Sequence, residues 1–113
     1  MNINSVNNAS FGANYSAIIK NPLGLHMKPS AFIAKLTSAV DQPIYFSANG
    51  VPERNVRNSI IGIMTMEPVF GKEIAVRVDD SYPKHILNAV LDSISAGDDA
   101  EASKIFAKIN LLG

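Results

Sequence analysis

The sequence predicts an α+β fold: an open-faced β-sandwich in which helices cover one face of a four-stranded antiparallel sheet. The predicted elements follow the order β-α-β-β-α-β-α, with an additional helix at the C-terminal end. The firmest strand has one apolar face and each helix has one apolar stripe, so one sheet with helices on a single side buries them all. The 113 residues are 47% hydrophobic, which is typical of one globular domain.

Charge and cysteine content exclude several classes of protein. Ten basic and ten acidic residues leave no net charge, so we expect no general electrostatic attraction to nucleic acid or to an anionic membrane. The absence of cysteine excludes disulfides, thiolate nucleophiles and Cys-based zinc sites. No stretch approaches the roughly 20 apolar residues that span a bilayer, so we expect a cytoplasmic protein without membrane insertion.

The first third of the chain predicts a tail, a strand and a helix. Residues 1–14 are rich in asparagine and lack hydrophobic periodicity, which predicts a flexible polar tail. A short apolar run over 15–20 predicts a strand that an Asn-Pro pair ends. Pro29 suits the first turn of a helix, and the spacing of the apolar residues after it carries this helix to about Ala39.

A β-hairpin is predicted in the middle of the chain. Residues 44–48 have strand composition, and Asn49-Gly50 is the strongest short-range turn signal for a hairpin. Pro52 lacks a backbone donor, so the third strand should be weak and should lie at an edge of the sheet.

A short helix and a regular strand follow the hairpin. Asn58 is expected to cap a helix over 59–64. Apolar and polar residues then alternate over 73–79, which predicts a strand with one buried face. We expect one domain over 15–95 that contains all these elements.

Two helices complete the chain. Pro83 marks the start of a helix with a continuous apolar stripe, which Gly97 should end. Asp98 or Asp99 can cap a further helix within 96–113. The acidic residues near its start are interpreted as helix-terminal charge because a calcium loop needs more ligands and a glycine at the turn.

His26 is the main candidate for chemistry. It precedes the Pro29 helix, so its ring lies near backbone N–H groups that have no intrahelical partner, and Lys28 adds a positive charge. A helix amino terminus is a ready phosphate site, and neutral imidazole is a competent nucleophile near pH 7. These features suggest reversible phosphorylation of His26, but an isolated histidine before a helix is more often a polar loop residue, and local chemistry alone does not decide between them.

Two motifs resemble one known family. Residues 24–31, Gly-Leu-His-Met-Lys-Pro-Ser-Ala, are similar to the Gly-Leu/Ile-His-x-Arg-Pro-Ala signature of HPr, the histidine-containing phosphocarrier of the phosphoenolpyruvate-dependent sugar phosphotransferase system. Residues 58–66, Asn-Ser-Ile-Ile-Gly-Ile-Met-Thr-Met, resemble its second signature, Lys-Ser-Ile-Met-Gly-Val-Met-Ser-Leu. The motifs occur in the family's order with the hairpin between them, and the resemblance covers roughly 15–94.

The resemblance implies a relay protein rather than a turnover enzyme. His26 would accept a phosphoryl group from Enzyme I, originating in phosphoenolpyruvate, and pass it to sugar-specific IIA proteins. The backbone donors at Met27 and Lys28 and the Lys28 ammonium would bind the phosphate. We expect no cofactor and no metal, since His85 has no second ligand at a suitable spacing.

The second motif implies regulation and a docking surface. Ser59 stands where the family has a serine that HPr kinase/phosphorylase phosphorylates in Gram-positive-type proteins. The adaptable apolar side chains of Met27, Ile60, Ile63 and Met64 are the predicted partner-binding surface for Enzyme I and IIA proteins.

Two departures from the pattern leave alternatives open. The family has arginine where this chain has Lys28, so one forked contact with phosphate is lost. Leu23 occupies a position where the family has a small polar residue that can fix the imidazole. A regulatory HPr paralogue that acts through phospho-Ser59 without efficient relay is one alternative, and a small metabolite-binding module that shares only the topology is another.

Overall fold

The strands and helices follow one another along the chain in the predicted order. The computed structural model of the protein describes residues 13–112. The strands are β1 (Ala13–Ile18), β2 (Tyr45–Ala48), β3 (Val51–Asn55) and β4 (Glu73–Val78), and the helices are α1 (Met27–Ser38), α2 (Ile60–Met64), α3 (Lys84–Ile94) and α4 (Asp99–Leu112). Most of the predicted tail lies outside the described residues, and its last two residues instead begin β1.

The four strands form one antiparallel sheet in the order β1-β4-β2-β3. Val76 of the inner strand β4 pairs with Tyr15 of β1 on one side and with Phe46 of β2 on the other. Ile74, Val76 and Val78 are buried while the residues between them face outward, as the alternation predicts. The predicted fold class is confirmed.

The hairpin forms at the predicted turn. Ala48 and Val51 pair across the two-residue turn of Asn49 and Gly50, and Gly50 has a φ of +81°. β3 lies at the edge of the sheet. Pro52 has no N–H to donate, and at an edge strand this does not cost an inner strand a hydrogen bond.

The helices pack together over the apolar face of the sheet. α1 lies against α2, α3 and α4, and α3 also contacts β1. Their buried side chains join those of the strands in a single core, to which α1 and α3 contribute Ile33, Leu36, Ile86, Leu87, Val90 and Ile94. Among residues 13–112, no helix combines the length and the apolar character that crossing a membrane requires.

The cap of α2 differs from the prediction. Ser59 is the N-cap, and its Oγ accepts a hydrogen bond from the Gly62 N–H at 2.8 Å. Asn58 lies outside the helix with a φ of +52°, and its N–H donates to Thr37 Oγ1 at 2.9 Å. A cap needs an extended backbone, which Ser59 has and Asn58 lacks, so the prediction that Asn58 caps this helix is wrong.

Capping residues define the end of α3 and the start of α4. Pro83 is the N-cap of α3, and Ser95 is its C-cap, so the helix ends two residues before Gly97. Asp98 begins α4, since its Oδ1 accepts a hydrogen bond from the Glu101 N–H at 2.8 Å. Of the two predicted caps of α4, Asp98 therefore takes this role.

Arg57 fixes the carboxyl end of α1 beside the start of α2. Its Nε donates to the Val40 carbonyl at 2.6 Å, and its Nη2 donates to the Ser38 carbonyl at 3.2 Å. Carbonyls at a helix end have no intrahelical partner, so this guanidinium satisfies them and ties the two motif-bearing helices together.

Candidate functional site

His26 is the N-cap residue of α1. Its backbone is extended, with φ −71° and ψ −168°, and the first helical hydrogen bond runs from the Ser30 N–H to the His26 carbonyl at 3.1 Å. The N–H groups of Met27 and Lys28 precede that bond, and Pro29 has no N–H. Two backbone donors are therefore available beside the imidazole, where the helix dipole also favours an anion.

The loop before His26 is anchored to the loop that follows α2. The Leu25 N–H donates to the Pro68 carbonyl at 2.8 Å. Gly24 has a φ of +70°, and a Cβ built there would lie only 2.4 Å from the same Pro68 oxygen, so a residue without a side chain is required. The buried Ser30 hydroxyl donates to the Leu25 carbonyl at 2.8 Å and closes the loop from the helix side.

Asp99 of α4 holds the imidazole from the other direction. His26 Nε2 lies 2.9 Å from Asp99 Oδ1, and the Asn21 side-chain amide donates to the same oxygen at 3.0 Å. A carboxylate only accepts hydrogen bonds, so Nε2 carries the hydrogen in this contact. The contact occupies Nε2, so in the neutral ring the free lone pair is on Nδ1.

The pKa of the Asp99 carboxyl lies below its usual range. The largest cause is the hydrogen bond from His26, and the Asn21 amide and the charges of His26 and Lys28 act in the same direction. Partial burial opposes them and is outweighed. The His26 and Asp99 side chains are 33% and 31% exposed, so the pair is accessible from solvent.

Asp99 is a site residue that the sequence does not predict. The prediction of helix-terminal charge at the start of α4 is correct for Asp98 but incomplete for Asp99. The contact joins residues 73 positions apart, and nothing in either motif refers to the last helix. Only the packing of α4 against the domain could have revealed it.

Aromatic and apolar contacts hold α4 in this position. The Phe106 ring stacks on that of Phe32 in α1, with centroids 5.1 Å apart. Ala102 is buried, and Ile105 and Ile109 pack against the core. The start of α4 is therefore fixed beside the start of α1.

Exposed apolar side chains lie around His26. Met27 is 59% exposed and Leu23 is 72% exposed. Val69 and Phe70, in the loop that anchors Gly24, are also more than half exposed. This last pair was not predicted, although two adjacent apolar residues after a proline are a visible signal in the sequence.

The predicted docking residues of α2 divide between surface and core. Ile63 is completely buried, so the prediction that it belongs to an exposed patch is wrong. The helix has only five residues and presses one face onto the core, and Ile63 and the following Met66 occupy that face. Ile60 and Met64 are half-buried, and Ile61 is 70% exposed.

Ser59 lies at the groove between α1 and α2. Lys35 of α1 and Ile61 of α2 also line this groove. The Ser59 side chain is half-buried, and its hydroxyl oxygen already accepts the capping hydrogen bond.

Comparison with known proteins assigns the family. The family model described as "PTS HPr component phosphorylation site" matches residues 14–96, which run from the second residue of β1 to just beyond α3. The chain belongs to the HPr family. HPr proteins are phosphocarriers of the sugar phosphotransferase system and not catalysts. The predicted family is thus confirmed, and α4 lies outside the matched residues.

Individual HPr proteins are similar in sequence and in structure. The phosphocarrier protein HPr of Mycoplasma capricolum is 31% identical over 78 residues, which cover 69% of this chain and 85% of that protein. A solved mycoplasma histidine-containing phosphocarrier protein is also 31% identical, with a TM-score of 0.62 over 72% of this chain and 90% of its own. HPr of Bacillus anthracis is 20% identical, with a TM-score of 0.64 over 74% of this chain and 98% of its own, and supports the fold alone.

Proposed function

We propose that His26 is the phosphoryl acceptor of this HPr-family protein. It would receive the group from Enzyme I, which obtains it from phosphoenolpyruvate, and pass it to sugar-specific IIA proteins. The observation that carries the proposal is the placement of a partly exposed imidazole at the N-cap of α1, beside the free N–H groups of Met27 and Lys28.

The transfer is a simple displacement at phosphorus. A lone pair of the His26 ring attacks the phosphoryl phosphorus while the bond to the donor atom breaks, and the donor keeps that electron pair. The Met27 and Lys28 N–H groups and the exposed Lys28 ammonium stabilise the negative charge of the phosphoryl oxygens. These contacts are solvent-accessible, so the phosphoryl group can leave again to an acceptor, as a carrier requires.

Apolar side chains beside His26 and on α2 supply the docking surface. Met27, Ile60 and Met64 stay in this proposal from the sequence analysis, while the exposed Ile61 takes the place of the buried Ile63. Met27 lies directly beside the acceptor, so a partner that presents a phosphoryl group to His26 covers it.

Ser59 is proposed as a regulatory phosphorylation site for HPr kinase/phosphorylase. A phosphate there would replace a neutral hydroxyl at the amino terminus of α2, where negative charge is tolerated. It would also place two negative charges in the groove beside Lys35 and Ile61. The effect is therefore expected on partner docking more than on folding.

Intact mass spectrometry tests the acceptor. The protein is incubated with phosphoenolpyruvate and Enzyme I, and the adduct is then exposed to mild acid, which hydrolyses phosphohistidine and spares phosphoserine. We expect an acid-labile adduct that His26→Ala abolishes and His85→Ala retains, because His85 is the exposed histidine outside the site. An adduct that persists in His26→Ala, or no adduct in the unmodified protein, would contradict the proposal.

Initial rates of the same reaction test Ser59. We expect Ser59→Asp to be phosphorylated on His26 more slowly than the unmodified protein, with Ser59→Ala as the uncharged control. Equal rates for the aspartate and alanine variants would argue against charge-based regulation.

A further inference from the structure

We propose that Asp99 is a positioning residue that fixes the His26 ring and directs phosphoryl transfer to Nδ1. This inference rests on the proposed role of His26 as acceptor. It adds a residue from α4, which lies outside the part of the chain that the family model matches.

The contact has the geometry of a positioning pair. Nε2 and Oδ1 are 2.9 Å apart, a normal length for a hydrogen bond from a ring nitrogen to a carboxylate. Asn21 donates to the same oxygen at 3.0 Å and is itself buried, with its own Oδ1 accepting the Leu23 N–H at 3.0 Å. The carboxylate is thus held by a second, rigid group and does not depend on His26 for its orientation.

Holding the hydrogen on Nε2 determines which nitrogen can react. In neutral imidazole one nitrogen carries the hydrogen and the other carries the lone pair, so a fixed Nε2–H leaves the lone pair on Nδ1. A phosphoryl group on Nε2 would in addition lie against the Asp99 carboxylate, and two anions repel each other at this distance.

The same contact stabilises the product of transfer. When Nδ1 bonds to phosphorus and Nε2 keeps its hydrogen, the ring becomes a cation, and no proton enters or leaves. Asp99 faces that cation through Nε2–H, while Lys28 and the amide donors of α1 face the phosphoryl oxygens. Asp99 is therefore expected to stabilise the charge that develops on the ring as the phosphoryl group arrives.

Asp99→Asn and Asp98→Asn form a matched pair of variants. Each removes one negative charge from the start of α4, but only Asp99 contacts His26, and asparagine in place of Asp98 still caps the helix. Asparagine at 99 keeps the size of the side chain, but its neutral oxygen binds Nε2–H more weakly than a carboxylate, and its flipped amide can donate to Nε2. The preference for one tautomer is therefore weakened. Thermal unfolding of both variants verifies that the fold is retained.

Two measurements test the inference on the full chain. Long-range ¹H–¹⁵N correlation spectra of the histidine rings report the tautomer of His26 in the unphosphorylated protein, and initial rates with phosphoenolpyruvate and Enzyme I report transfer. We expect Nε2–H in the unmodified protein, mixed tautomers in Asp99→Asn, and a rate at least about 10-fold lower in that variant. Asp98→Asn should stay within about 2-fold of the unmodified protein.

Different outcomes separate this inference from the proposed function. Normal phosphorylation of His26 with equal rates for the two variants, or a faster rate for Asp99→Asn, would overturn the role of Asp99 and leave the acceptor in place. An Nδ1–H tautomer in the unmodified protein would also overturn it. If the unmodified protein takes no phosphoryl group, the proposed function fails and the role of Asp99 fails with it.

Discussion

Replacing Gly24 with alanine tests how strictly the loop before His26 is held. Gly24 has a φ of +70°, and alanine at such an angle costs about 1–2 kcal/mol, of which about 0.4–1 kcal/mol is offset by the less flexible unfolded chain. The new Cβ would also lie 2.4 Å from the Pro68 carbonyl oxygen, and overpacking of this kind costs about 1–3 kcal/mol. We therefore expect Gly24→Ala to lower the free energy of unfolding by about 1–4.5 kcal/mol.

Gly50→Ala is the matched control. Gly50 has a similar φ of +81°, but a Cβ built there meets nothing within 4 Å. It should lose only the backbone contribution, about 0–1.5 kcal/mol. Urea denaturation followed by circular dichroism gives both free energies, and equal losses in the two variants would refute the argument from the Pro68 contact.

The same pair of variants links the loop to function. The Pro68 oxygen that a Cβ at Gly24 would displace also accepts the Leu25 N–H, and Leu25 immediately precedes His26. At a temperature where both variants are folded, we expect slower phosphorylation by Enzyme I for Gly24→Ala than for Gly50→Ala. Equal rates would show that the position of His26 does not depend on this contact.

Three other predictions concern separate parts of the molecule. Lys28→Arg restores a forked phosphate donor, so initial phosphorylation rates should rise by up to about 10-fold, and a slower rate would contradict this reasoning. Ser59→Ala removes the cap of α2 and should lower the free energy of unfolding by about 1 kcal/mol, whereas an unchanged value would show that the Gly62 contact is not stabilising. The hydrogen bonds from Arg77 to Glu53, at 2.8 and 2.9 Å, lower the pKa of the Glu53 carboxyl. The pair therefore stabilises the fold at pH values above the pKa of Glu53 in the unfolded chain, about 4.3. This stabilisation is lost as the pH falls through the lower pKa of the folded protein. Glu53→Gln should therefore cost about 0.2–1 kcal/mol at pH 7 and nothing at pH 2, and a cost that does not vary with pH would contradict the assignment.

Local patterns were sufficient to predict most of the fold. The alternation over 73–79, the Asn49-Gly50 turn and the proline in the third strand each act over a few residues, and each element formed where its pattern indicated. The cap of α2 was missed because Asn58 and Ser59 are both good capping residues by type. The choice between them depends on the hydrogen bond from the Asn58 N–H to Thr37 Oγ1, which joins the loop before α2 to α1.

The candidate site was predictable only as far as its motif extends. His26, Met27 and Lys28 are adjacent in the chain, so one local pattern places all of them at the start of α1. Ile63 was assigned to the surface because a five-residue helix gives too little periodicity to distinguish its buried face. Asp99 could not be predicted, since its role depends on where α4 packs.

The charges around His26 suit a phosphocarrier, which has to accept the phosphoryl group and then release it. In the proposed phosphorylated state, Lys28 and the amino terminus of α1 would attract the phosphoryl oxygens, while the Asp99 carboxylate would repel them and attract the ring cation. Removing Asp99 would weaken its pairing with the ring and would also remove a smaller repulsion, which acts on the phosphoryl group from the far side of the ring. The two effects act on different atoms, so the tautomer of the free protein reports the pairing alone, and this is why the ring spectra discriminate better than the transfer rate.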